Sequence, residues 1–222
     1  MRRLFALLLL LVSTGASAQV GDWRTHAIES EAGWTFGKPG APLLVEYASF
    51  GCPHCGEFSG EAGPAIADKV RSGKLRYAFR PFLIFPHDRA ATVLARCVPA
   101  PKRFAFIKAV MTAQPATRAA LAELDRSDQS RQALFEAELK GPEVQALLLG
   151  RATGLAALAA GHGLPAAAAE ACLASTEQHV WAGNADLAGR VAGVTGTPTF
   201  LWKGQRLGKD LTPKALVAAL PR

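Results

Sequence analysis

The chain has 222 residues, half of them hydrophobic, and carries 25 Lys and Arg against 18 Asp and Glu, for a formal charge of +7. That length and apolar content suffice for one soluble unit with a well-buried core and room for an inserted subdomain. The basic residues are scattered, without a block or interleaved aromatics, which argues against a nucleic-acid or membrane-surface partner and reads as a solvated surface.

Arg2 and Arg3 lead into the apolar run Leu4 to Val12, and Ala16-Ser17-Ala18 follows. This has the form of a secretory signal peptide over residues 1–18, with a mature chain from Gln19 and export to the periplasm as the expected outcome. The apolar run is short for a membrane span, and no cysteine follows the cleavage site to carry a lipid. Four cysteines in an exported chain fit an oxidising compartment.

Leu43-Leu44-Val45-Glu46-Tyr47-Ala48-Ser49 is rich in β-formers and reads as the first core strand, while Phe58, Ile66 and Val70 recur near helical spacing beyond it. Between them stands Cys52-Pro53-His54-Cys55. This spacing sets Cys52 at a helix N-terminus, where unpaired N–H groups and the helix dipole favour a thiolate, and where the His54 imidazole can add a donor or a positive charge. Cys52 is therefore the expected reactive sulfur. A zinc site would want a second close ligand pair, which Cys97 and Cys172 do not form in sequence, and so tight a ring is a poor structural staple. Pro64 falls inside the following helix, where it should kink it.

Residues 88–175 are rich in alanine and leucine, with Val144, Leu147, Leu148, Leu155 and Leu158 at helical intervals, and read as an all-helical subdomain. Cys97 and Cys172 lie within it. In an oxidising compartment they are expected to bridge, closing a loop worth on the order of 4 kcal/mol; the alternative is two buried thiols acting as small apolar residues. Ser175-Thr176-Glu177-Gln178 has the form of a capping box opening a helix through Asp186 and Val191. Thr197-Pro198 then precedes the β-rich run Thr199 to Trp202, Lys203-Gly204 supplies a hairpin turn, and Thr212-Pro213 opens a last helix. His26, His87, His162 and His179 read as surface or packing residues. No Ser-His-Asp order, phosphate loop or HExxH string appears, which narrows the chemistry to thiols.

With the Cys52-Pro53-His54-Cys55 motif behind its strand and the Gly196-Thr197-Pro198-Thr199 turn downstream, nearly all of the mature chain resembles the DsbA-like thiol–disulfide oxidoreductases of the thioredoxin superfamily. The resemblance implies an α/β, thioredoxin-like fold split into residues 19–87 and 176–222 around the helical insertion of 88–175. It also implies that Pro198 is cis and packs on the sulfurs, and that Thr197, with Gly196 beside it, offers backbone groups to a client strand. Glu46, six residues before Cys52, is the expected acid–base partner of Cys55, and a glutamate in a central strand is costly without such a purpose. Reduced exported proteins are the implied clients and a DsbB-type membrane oxidase the implied reoxidant, with no cofactor, no metal and a monomeric state. Thr197 departs from the valine of the best-known oxidases and also occurs in disulfide isomerases, so an isomerase or reductase is the alternative. A cysteine-based metal-binding protein is a further one.

Overall fold

A computed structural model describes residues 21–208 and 210–221; the segment read as a signal peptide lies outside them. Six strands form one mixed sheet: β1 Ala27–Ser30, β2 Gly33–Phe36, β3 Leu43–Ala48, β4 Arg76–Pro81, β5 Thr199–Trp202 and β6 Gln205–Arg206, in the order β1-β2-β4-β3-β5-β6. β3 and β4 are parallel and every other pair is antiparallel. The parallel pair needs a crossover, which α1 Pro53–Glu61 and α2 Gly63–Arg71 supply. Side chains alternate along β3, so Leu44, Glu46 and Ala48 share one buried face.

The first strand of the sheet is not the Leu43 run. The hairpin β1–β2 precedes it, joined at Glu31-Ala32. Its outer strand is mostly exposed and its loop lacks the Asn-Gly or Gly-Gly signal of a two-residue hairpin, so nothing local announces it. Gly33 is where β2 can press against β4: a Cβ there would lie 2.4 Å from the Phe79 carbonyl oxygen, and its φ is +127°.

Pro64 breaks the helix rather than bending it. α1 ends at Glu61, and Pro64 sits in the first turn of α2, where its missing N–H costs nothing. Lys108 takes up the loose end of α1, donating to the Ser59 carbonyl at 2.8 Å and to its hydroxyl at 2.6 Å.

Seven helices separate β4 from the long helix α10 Thr176–Val191: α3 Asp88–Cys97, α4 Ala100–Thr112, α5 Gln114–Leu124, α6 Asp128–Lys140, α7 Pro142–Ala152, α8 Leu155–Ala160 and α9 Ala166–Leu173. Cys97 at the end of α3 and Cys172 in α9 form a disulfide across 75 residues. Phe104, Phe106 and Ile107 of α4 join Trp34, Phe36 and Phe79 of the sheet in one core, so the insertion and the sheet share their apolar interior. Ser175 is the residue before α10, but its side chain makes no cap, and the Gln178 side chain, the expected reciprocal partner, accepts from Arg96 at 3.0 Å. α11, Pro213–Ala219, is capped by the Thr212 hydroxyl, which accepts from the Ala215 N–H. Lys203 and Gly204, both with positive φ, make the β5–β6 turn. Among the described residues no helix is long and apolar enough to cross a membrane.

Candidate active site

Cys52 is the residue immediately before α1, in extended conformation, with Pro53 opening the helix. Pro53 has no N–H to orphan and its fixed φ starts the helical turn, so the first free N–H groups face back toward Cys52. The carbonyl of Cys52 accepts from Gly56 at 3.1 Å, and its Sγ donates to the Thr197 carbonyl at 3.3 Å. The Thr197–Pro198 peptide bond is cis. Thr199 folds that turn by donating its hydroxyl to the Gly196 carbonyl at 2.8 Å. The two ends of the sequence signal, 145 residues apart, thus meet at one sulfur.

The two cysteines are electrostatically unlike. A hydrogen bond from the Cys55 thiol does most to bring the Cys52 thiol down from an ordinary 9.0 to about 5; burial opposes it, and the Thr197 side chain and the backbone N–H groups of Cys55 and His54 add to it. Burial, the Cys52 sulfur and the Glu46 carboxylate push the Cys55 thiol far above the ordinary range. Cys52 keeps 6% of its surface exposed and Cys55 none, so only the acidic sulfur can meet a macromolecular client.

His54 works differently from the expectation. Its imidazole points into solvent, with Nδ1 3.4 Å from Glu57 Oε2. It is the backbone N–H of His54, supplied by the helix start rather than by the side chain, that favours the Cys52 thiolate.

Glu46 is buried beneath the cysteines on the same face as Leu44 and Ala48. Tyr77 of β4 donates its hydroxyl to Glu46 Oε2 at 2.5 Å. Burial raises the Glu46 carboxyl, while the Tyr77 hydrogen bond and the Lys108 ammonium pull it back and the Cys52 thiolate pushes it up. The net effect is a carboxyl that holds its proton more tightly than an ordinary glutamate, within the field of Cys55. Burial likewise lowers the Lys108 ammonium.

Three polar residues of the helical insertion, two of them buried and Lys108 half-buried, complete the surroundings and carry no signal in sequence. The Asp88 carboxylate, fully buried at the start of α3, accepts from the Ser49 hydroxyl at 2.7 Å and from the N–H groups of Gly51, Ile84 and Phe85 at 2.8 Å each. Gln114, at the start of α5, donates to the carbonyls of Phe50 and Cys52, both at 2.9 Å. Lys108 is the third. His87, expected only to pack, is buried against Gly51, where a Cβ would lie 2.7 Å from its Cε1.

A groove of about 550 Å³ runs beside the cis peptide, lined by His54, Phe58, Thr195, Pro198, Arg206 and Leu211 among others. No three His, Cys, Asp or Glu side chains converge as a metal-ligand set among the described residues.

A family model described as thioredoxin matches residues 29–222. The chain belongs to the thioredoxin family. Solved structures similar to it include a protein-disulfide isomerase from Novosphingobium aromaticivorans, with a TM-score of 0.68 and 26% identity over 79% of this chain and 88% of that one. α-DsbA1 of Wolbachia pipientis superposes with a TM-score of 0.61 at 24% identity, covering 84% of this chain and 89% of that one. MdbA, a thiol-disulfide oxidoreductase from Actinomyces oris, shares the fold at 0.60 and 22%, over 92% and 93%. A protein-disulfide oxidoreductase of Rickettsia typhi is 38% identical over 56 residues, 25% of this chain; the match spans 21% of that relative's length. The thioredoxin-like sheet with its inserted helices is the architecture of DsbA-like thiol–disulfide oxidoreductases.

Proposed function

We propose that this chain is a periplasmic dithiol oxidase that introduces disulfide bonds into exported proteins through the Cys52–Cys55 pair. The observation that carries the reading is the asymmetry of the pair: an acidic Cys52 at the helix start facing the cis-Pro198 turn, above a buried Cys55 held as a thiol. A sulfur content to carry charge is a good leaving group and favours the reduced form of its own protein, which makes the disulfide form an oxidant.

In the oxidised protein a client thiolate attacks Cys52 Sγ. The Cys52–Cys55 bond breaks, a mixed disulfide forms, and the electron pair leaves on Cys55. A Cys55 thiolate is strongly disfavoured in its buried site, so it takes a proton, and Glu46 is the carboxyl placed to deliver it. A second client thiolate then attacks the client sulfur, and Cys52 departs as the stabilised thiolate. Two electrons pass from client to protein; the client gains a disulfide and the protein becomes a dithiol. A membrane oxidase of the DsbB type would return it to the disulfide. The Thr197 backbone, with Gly196 beside it, offers the edge on which an extended client segment can pair.

A reduced, cysteine-containing client refolded with catalytic amounts of the oxidised protein tests this. Its disulfides should form faster than in buffer, and Cys52→Ser should abolish the gain. The Thr197 side chain and the similarity to a protein-disulfide isomerase favour isomerase action as the second reading. A scrambled client separates the two: an isomerase rescues it in the dithiol form, and an oxidase acts chiefly on the reduced client.

A further inference from the structure

The backbone leading to the catalytic sulfur is gripped by the helical insertion. Phe50, Gly51 and Cys52 leave the end of β3 without a ladder partner, and Asp88 and Gln114 serve three of their six backbone polar groups. Asp88 takes the Gly51 N–H, and the Gln114 amide nitrogen bridges the carbonyls of Phe50 and Cys52, one on each side of Gly51. Gln114 is itself fully engaged: 4% exposed, with its oxygen accepting from Arg118 at 3.3 Å. A buried amide with both donors spent on main-chain carbonyls fixes their position, because a buried donor left without an acceptor is costly.

We infer that Gln114 is a positioning residue for the redox pair: by holding the Cys52 carbonyl it sets the first turn of α1, and with it the N–H groups of His54 and Cys55 that face the Cys52 sulfur. The Cys52 carbonyl is the one that accepts from Gly56 to close that turn, so Gln114 and the helix share an acceptor. This places the control of the sulfur's acidity partly in the insertion, more than 60 residues away in sequence. The inference rests on the dithiol-oxidase reading above.

Gly56 gives an independent sign of the same contact. It directly follows Cys55, inside α1, where alanine is the better helix former. A Cβ at that position would lie 2.4 Å from Gln114 Oε1 and 2.9 Å from its Cδ. The glycine therefore gives up helix propensity at a spot where a methyl group would displace the amide.

The test uses the full mature chain in its dithiol form. Gln114→Met keeps the volume and removes both donors; Gly56→Ala leaves Gln114 in the sequence and pushes it off its carbonyls. Thiolate absorbance against pH and the equilibrium with glutathione at pH 7 are read for both variants and the parent. Each variant should raise the pH at which Cys52 ionises by about one unit, and shift the glutathione equilibrium about tenfold toward the disulfide form. A merely structural contact would lower stability and leave both readings in place. If the parent has an acidic Cys52 and both variants titrate and equilibrate like it, the inference falls while the oxidase reading stands. If the parent's Cys52 titrates as an ordinary thiol, the reading beneath falls and takes the inference with it. Should Gln114→Met fail to fold, Gly56→Ala decides alone, since the methyl group favours its helix.

Discussion

The acidity of Cys52 makes the stability gap between the dithiol and disulfide forms depend on pH. In the dithiol form the Cys52 thiol goes from an ordinary 9.0 when unfolded to about 5 when folded. A folded value below the unfolded one adds stability that is complete above the unfolded value and is lost as pH falls through the folded one. At pH 7 the ambient pH stands about two units above the folded value, so the contribution is about 2.7 kcal/mol; at pH 4 almost none is left. Cys52 is 6% exposed, so solvent screening takes little from this figure. The disulfide form lacks the titration altogether. Urea unfolding of the two forms at pH 4, 5.5 and 7 measures the gap. It should move by about 2.7 kcal/mol in favour of the dithiol between pH 4 and pH 7, and reduced Cys52→Ser should show no such gain. A gap constant to within about 0.5 kcal/mol over that range would refute the reasoning.

Three further outcomes follow from the buried groups. Glu46→Gln removes the carboxyl proposed to supply the proton to departing Cys55, so single-turnover oxidation of a reduced client peptide should slow about 100-fold with the Cys52 ionisation still acidic. Asp88→Ala strips four donors of their acceptor, and chemical denaturation should report a loss of at least about 3 kcal/mol, with Asp88→Asn, which keeps one oxygen, losing less. Replacing both Cys97 and Cys172 by alanine opens a 75-residue loop and should cost about 4 kcal/mol in the same measurement, leaving thiolate absorbance against pH unchanged.

What the residues announce by themselves is mostly local; the Cys97–Cys172 bridge is read from the oxidising compartment and the place of Pro198 from the family resemblance. Cys52-Pro53-His54-Cys55 states its own geometry, since a strand-like run, a helix-opening proline and a periodic segment follow one another between Leu43 and Val70. The Lys203-Gly204 turn and the Thr212-Pro213 helix start were legible for the same reason, each being set by residues in direct sequence contact. Glu46 was legible as an oddity, a carboxylate among β-formers. Its hydrogen bond to Tyr77 was not, because it depends on the parallel register of β3 and β4, which pairs Leu44 with Tyr77. Gln114, Asp88 and Lys108 are ordinary polar residues in helical segments, and only the packing of the insertion on the sheet turns them toward the redox pair. The β1–β2 hairpin escaped because one of its strands faces solvent and its turn residues are unremarkable. His54 shows the opposite case: the residue was rightly placed by its spacing, yet its main chain, not its imidazole, meets the sulfur.

The central claim is that the Cys52–Cys55 disulfide is an oxidant because its reduced form holds an acidic sulfur, and the reduction potential, read by equilibration with glutathione at pH 7, tests it most directly. Thioredoxin, with a reactive cysteine near ~7, has a potential of about −270 mV. A Cys52 that ionises at about 5 stabilises the dithiol by about 2.3 kcal/mol more at pH 7, which is roughly 50 mV for two electrons. The account predicts a potential near about −220 mV. A value at or below thioredoxin's would contradict it.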